Sequence, residues 1–250
     1  MKKFRDDMIM EEKYSLSVVF CAVNETFSLI DTYNKIRSFS CASEYVFVLS
    51  KNASDGCVST VKQLCENEGC RYFTQSGYGL GNAIRDAIKE VSGTHMIVWP
   101  ADDGMDTSAF PLMAKLSLEN PQKIISVSRW LIKDGFDGYG RIRKIINYAS
   151  QKLFSILYSS QLTDFTNPTQ IAPVSVYRRI KWEGNRFDFV PEMTFKPLKA
   201  GCEFIEVPCR NLTRAEGRTN SKLTELIKYY YVIFRIYRMD KTEIITGEGK

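Results

Sequence analysis

A chain of 250 residues can form one large domain or two small ones, and 44% apolar with 25% charged residues is an ordinary globular balance. The net charge of +5 is mild; it suits an anionic ligand or a membrane surface, and no nucleic-acid partner is expected. Seven cysteines without a CxxC pair, beside a single histidine, exclude a zinc pattern and suggest reduced thiols in a cytoplasmic setting. The charged start, MKKFRDDMIMEEKY, lacks the apolar core of a signal peptide, and no window reaches the roughly 18 apolar residues of a membrane span.

The first half alternates strand-like and helix-like segments. Residues 16–22 (LSVVFCA) are a continuous apolar run, and a helical stretch follows at 27–39. Residues 45–49 give a second strand, 55–68 a second helix and 70–73 a short third strand. Ile84, Ala87, Ile88 and Val91 recur at helical spacing within 80–91. Residues 96–99 read as a buried strand that runs into Asp102, Asp103 and Asp106, before a helical period at 107–119. Short apolar runs alternating with helices predict a mostly parallel sheet covered on both faces. Ligands of such sheets bind beyond the carboxyl ends of the strands, which selects 22–25, 50–55 and 100–106 as the rim of a site.

The second half is less regular. Residues 124–127 read as a strand, followed by the glycine-rich loop DGFDGYG at 134–140. A long helix pattern spans 141–159, with apolar positions at Ile142, Ile145, Ile146, Ala149, Leu153, Ile156 and Leu157. Residues 174–177 read as extended, 189–200 as helical and 203–207 as a further strand. The stretch at 223–239 mixes apolar, aromatic and basic residues, as 141–159 does. Two readings stay open for both: helices lying in a membrane interface, or core or dimer contacts with snorkelling basic residues.

Acids at the end of a buried strand need an explanation, because burying a carboxylate is costly unless a cation or hydrogen bonds compensate it. Mg²⁺ is typically held by one or two protein carboxylates together with water and substrate phosphates. A metal bridging a nucleotide diphosphate accounts for the cluster; Asp106 alternatively caps the helix that follows. The glycine-rich turn GYGLG at 77–81 opens a helix. Glycines there permit close backbone approach to an anion, or simply a tight strand-to-helix turn.

Taken together, these residues resemble the family 2 glycosyltransferases, in particular the branch of dolichyl- and polyprenyl-phosphate sugar synthases. LSVVFCAVNE looks like the opening strand of that family, GLGNAIRDAI like its glycine-rich helix start and ADDGMD like the segment with its DxD metal motif. SVSRW is similar to the strand bearing an acceptor-side arginine, and DFTNPTQIAPVSVYRR to the D-x-T-N/S-G-F-R stretch. FVPEMTFKPLKAGCEFIEVP is similar to a late helix–strand pair, and RAEGRTNSK to an R-x-x-G-x-S-K loop with two extra residues. The resemblance covers nearly the whole chain. It implies an α/β GT-A domain over residues 1–222, followed by a C-terminal amphipathic helix and tail at 223–250.

By position, the resemblance implies that Ala22, Asn24, Glu25, Gly79 and Gly81 line the nucleotide-sugar pocket. Asp102, with Asp103 beside it, would hold Mg²⁺ or Mn²⁺ on the diphosphate, and Arg218, Ser221 and Lys222 would close over it. Arg129, Arg143 and Asn147 would face an acceptor phosphate, a task that suits the fixed fork of arginine. The implied activity is inverting, metal-assisted transfer of a sugar from a nucleoside-diphosphate sugar. A polyprenyl phosphate acceptor is already anionic, whereas a saccharide hydroxyl, as in surface polysaccharide or O-antigen assembly, needs a base. Asp103, Glu192 and Arg129 are the candidate catalytic residues, with Glu192 the first choice of base and a structural, pairing role as its alternative.

The sequence departs from the family pattern at three places. Pro100 replaces the first aspartate of the DxD, Ser50 and Lys51 replace an acidic pair, and DFTNPTQ lacks a glycine and an arginine. Those departures raise the alternative of a nucleotide-sugar-binding relative without transferase activity. A nucleotidyltransferase is a weaker rival, since CAVNETFSL has no basic glycine-rich run. The expected setting is the cytoplasm, peripheral at the inner face of a membrane, with a homodimer as a further partner.

Overall fold

The computed structural model describes residues 13–213 and 223–246. Its centre is one seven-stranded sheet. The strands are β1 (Leu16–Ala22), β2 (Glu44–Leu49), β3 (Arg71–Thr74), β4 (His95–Trp99), β5 (Ile124–Ser128), β6 (Gln170–Pro173) and β7 (Phe204–Pro208). Their spatial order is β3-β2-β1-β4-β6-β5-β7, and every pairing is parallel except those of β6 with β4 and β5.

Helices cover both faces. On one lie α1 (Phe27–Ser38), α2 (Asp55–Glu68) and α4 (Phe110–Glu119), and on the other α3 (Leu80–Glu90), α6 (Val174–Arg179) and α7 (Phe189–Ala200). The alternation of β1 explains its unbroken apolar run: Val18, Phe20 and Ala22 join the first core and Val19 the second. Local signals set the helix ends as well. Ser54 caps α2 by accepting from the Cys57 N–H at 3.3 Å, and Gly69 ends it in the left-handed region at φ 69°.

Residues 174–177 are not extended; they form α6. The strand in this region is the preceding β6, where Pro173 ends the pairing and opens the helix. Val174 and Tyr177, three apart, bury on one side of that short helix. Arg178 fixes it to α3, donating to the Ile88 and Val91 carbonyls at 3.1 and 3.0 Å.

Two further helices, α5 (Arg141–Tyr158) and α8 (Leu223–Arg238), build a third core with α7, and the short α9 (Lys241–Ile244) closes against it. Phe154 of α5 and Val232, Ile233 and Ile236 of α8 pack with Phe165 and Phe195. The face α5 turns inward is otherwise polar, Ser150 and Gln151, and its isoleucines point away from the protein. No helix among the described residues is long and apolar enough to cross a membrane.

Candidate active site

The ends of β1, β2 and β4 meet at one rim. The Ser50 N–H donates to the Ala22 carbonyl and the Ser54 N–H to that of Val23, both at 2.9 Å, which ties the first two loops together. Glu25 turns back on its own loop and accepts from the Val23 and Asn24 N–H groups at 2.8 and 3.0 Å. Ser28, in the first turn of α1, donates to the Ala101 carbonyl at 3.0 Å. Ala22, Asn24 and Glu25 are thereby brought beside the acidic loop after β4.

That loop assigns its three acids different tasks. Asp102 accepts from the Gly104 N–H at 3.1 Å and is partly exposed. Asp103 has a left-handed backbone, φ 52°, and both its oxygens lie 3.1 Å from Lys35 Nζ on α1. Asp106 caps the 3-10 turn Thr107–Ala109, accepting from the Ser108 N–H at 3.0 Å. No group of three or more His, Cys, Asp or Glu among the described residues could hold a metal by itself. A divalent cation here would take Asp102 and fill its other positions from a bound diphosphate and water, a set that suits Mg²⁺ or Mn²⁺.

Gly79 and Gly81 have a packing reason. A Cβ on Gly79 would lie 2.3 Å from the Asn185 carbonyl oxygen, and one on Gly81 would lie 2.5 Å from that of Gly184. The Gly81 N–H donates to the Asn185 carbonyl at 3.0 Å, so the start of α3 is pressed against the loop before α7. The close backbone approach that these glycines permit is made, among the described residues, to the chain at 184–185.

Just after β5, Arg129 is buried and bidentate on Asp164, with Nη2 also donating to Thr166 at 2.8 Å. Burial opposes its charge, but the Asp164 carboxylate outweighs burial and raises the guanidinium above its ordinary value. In this conformation the Arg129 guanidinium is engaged by Asp164 and Thr166. Thr166 accepts from Asn147 at 3.2 Å, and Asn147 accepts from Trp130 Nε1 at 3.2 Å and Gln151 at 3.0 Å. Asn147 is half-buried in that network, and Arg143 is exposed in the first turn of α5.

Glu192 is fully buried in α7. It accepts from the Glu183 and Gly184 N–H groups at 2.9 and 3.0 Å and pairs with Lys196 at 3.2 Å. Burial raises its pKa against the pull of Lys196. Both Glu192 oxygens have partners within the chain, and their bonds to the Glu183 and Gly184 N–H groups tie α7 to the preceding loop. Arg218, Ser221 and Lys222 lie outside the described residues.

A cavity of about 450 Å³ opens between the loop at 134–137, α5 and the chain after β7, lined by Asp134, Phe136, Asp137, Lys144, Arg210 and Leu212. The chain after β7 stitches its walls. Asn211 bridges both Met105 and Phe136, the Leu212 N–H donates to the Gly104 carbonyl at 2.9 Å, and the Asp106 N–H donates to that of Arg210 at 3.0 Å. Lys144 and Arg210 had no motif to mark them. Arg210 follows the carboxyl end of β7, so the strand-end rule applied to that strand would have found it.

The Glycosyl transferase family 2 model matches residues 17–183. The chain belongs to that family. Glycosyltransferase AglJ of Haloferax volcanii is 20% identical over 220 residues, 88% of this chain and 70% of AglJ. Glucosyl-3-phosphoglycerate synthase from Mycobacterium tuberculosis, solved with Mn²⁺, UDP and phosphoglyceric acid, superposes with a TM-score of 0.68 at 13% identity. The match covers 92% of this chain and 81% of the synthase. TarS 1–349 of S. aureus, solved with UDP-GlcNAc, superposes with a TM-score of 0.63 at 14% identity, covering 89% of this chain and 65% of that one. At such identities the likeness establishes the fold, and this family 2 glycosyltransferase has the GT-A architecture.

Proposed function

We propose that this family 2 glycosyltransferase moves a sugar, with inversion, from a nucleoside-diphosphate sugar to a polyprenyl phosphate carried by the inner face of a membrane. The donor half draws support from the rim at Ala22–Glu25 and Asp102, and from relatives of the same fold solved with UDP or UDP-GlcNAc. Asp102 would hold the divalent ion, which when bound stabilises the charge of the departing diphosphate. Arg218, Ser221 and Lys222 would close over the same group.

The observation that carries the acceptor half is the commitment of both candidate bases: Asp103 is held by Lys35, and Glu192 is buried at Lys196. A phosphate oxygen is already anionic and needs neither. Lys144 and Arg210 line the adjoining cavity and suit an anionic acceptor, with Arg143 on the same turn of α5 as Lys144. One observation favours a second reading, a saccharide hydroxyl acceptor: Asp134 and Asp137 line that cavity too, and either could take a proton.

The test is transfer by the full chain, with Mn²⁺ and a panel of UDP- and GDP-sugars, to undecaprenyl phosphate or to a saccharide. Transfer to the lipid phosphate that survives Asp137→Asn and falls about 100-fold or more in Asp102→Ala supports the proposal. Transfer only to the saccharide, lost in Asp137→Asn, overturns it.

A further inference from the structure

The helix α5 is inside out. Its inward face carries Ser150 and Gln151 beside the single Phe154, while Ile142, Ile145 and Ile156 are 75%, 67% and 77% exposed, with Ile146 and Leu153 beside them. Those five lie three, four or seven residues apart, so they form one apolar stripe about 20 Å long on a helix rising 1.5 Å per residue. A soluble helix buries such a stripe, and an exposed one of this extent marks an interaction surface. The neighbouring α8 buries Val232, Ile233 and Ile236 in the third core, yet leaves Ile227 and Tyr231 63% and 67% exposed. The two helices are joined by Tyr158, whose hydroxyl donates to the Ile233 carbonyl at 2.7 Å.

Charge decides what covers the stripe. α5 carries Arg141, Arg143, Lys144 and Lys152 and no acidic residue, and among the described residues none of the four is in an ion pair. Arg141 and Lys152 lie along one edge of the stripe and Arg143 along the other. At the head of the helix, Arg141 and Arg143 flank Ile142 around an open depression, which places cations and an apolar side chain side by side. Two-fold packing of α5 on a second copy would set these cations against their own kind, which is unfavourable. An anionic lipid surface matches both properties at once, taking the isoleucines into its acyl boundary and the cations at its headgroups.

We propose that α5, with the exposed row of α8, is a membrane-docking face that lies in the plane of an anionic bilayer. The proposal deepens the lipid-phosphate reading but is tested apart from it, since binding is measured without donor or acceptor. The full chain is sedimented with vesicles of phosphatidylcholine alone and of phosphatidylcholine with phosphatidylglycerol. Binding to the anionic vesicles, weakened by salt and lowered about tenfold or more in Ile145→Ser/Ile156→Ser, is the expected result. Both positions are exposed, so the thermal midpoint of that variant should match the parent. The proposal is overturned if the parent ignores both vesicle types, or if the variant binds as well as the parent. It is equally overturned if light scattering finds a parent dimer that the same substitutions split, for then a second copy covers the face.

Discussion

Arg129 grips both oxygens of Asp164, Nε on Oδ2 at 2.7 Å and Nη2 on Oδ1 at 2.8 Å, with both side chains buried. Burial alone would raise the Asp164 pKa, but the charge and hydrogen bonds of Arg129 hold it below the ordinary carboxylate range. A carboxylate whose folded pKa is depressed contributes stability that is whole above its unfolded pKa, about 3.9, and is lost as pH falls through the folded value. Asp164→Asn leaves Arg129 buried and uncompensated, and is expected to cost about 3–5 kcal/mol at pH 7. Urea unfolding at pH 7 and pH 3 checks this, because the parent should lose more stability on acidification than the variant.

The glycines at the start of α3 separate packing from ligand binding. Gly81→Ala would set a Cβ 2.5 Å from the Gly184 carbonyl oxygen and 2.8 Å from Phe189 Cβ, and neither can yield easily. The expected loss is about 1–3 kcal/mol or more. A variant with an unchanged thermal midpoint and a raised donor KM would contradict this and return Gly81 to the nucleotide.

Asp103 and Lys35 form a partly exposed pair with side-chain exposures of 21% and 43%, so breaking it costs little. Asp103→Asn is expected to lose about 1 kcal/mol at most. Its kcat should stay within about threefold of the parent, whereas loss of a general base costs about 100-fold or more. Rate measurement under saturating donor distinguishes the two.

His95 is the sole histidine, which makes its titration readable. Burial lowers its pKa, against a contact from Nε2 to the Pro121 carbonyl at 2.8 Å. With the folded pKa below the unfolded value of about 6.5, its contribution to stability is whole above 6.5 and declines as pH falls through the folded value. The imidazole resonances should shift at a midpoint below 6.5, and His95→Gln should remove that part of the stability profile.

The strands that carry the site were readable because parallel strands buried on both faces must be apolar throughout, as LSVVFCA and HMIVW nearly are. β6 was not, since QIAP is short and ends in proline, and the valines of VSVY imitate a strand while serving α6. Asp102 could be located from one end of one strand. The partner of Arg129 could not, because Asp164 stands 35 residues away, whereas Lys196, four residues after Glu192 on one helix, is a pairing that spacing does offer. The α5 pattern was legible as amphipathic, but periodicity gives a stripe without saying which side faces the protein.

The reversed strand β6 reaches beyond the sheet itself. A crossover between parallel strands must traverse the sheet, so its helix is bound to cover that face. Because β6 runs against β4 and β5, residues 129–169 leave and re-enter the sheet at the same end. They form a cassette whose length can change without shifting strand register, while the donor rim on β1, β2 and β4 keeps its shape. Under the proposed function this architecture would let acceptor choice change apart from donor choice, and grafting that segment between relatives is the direct test.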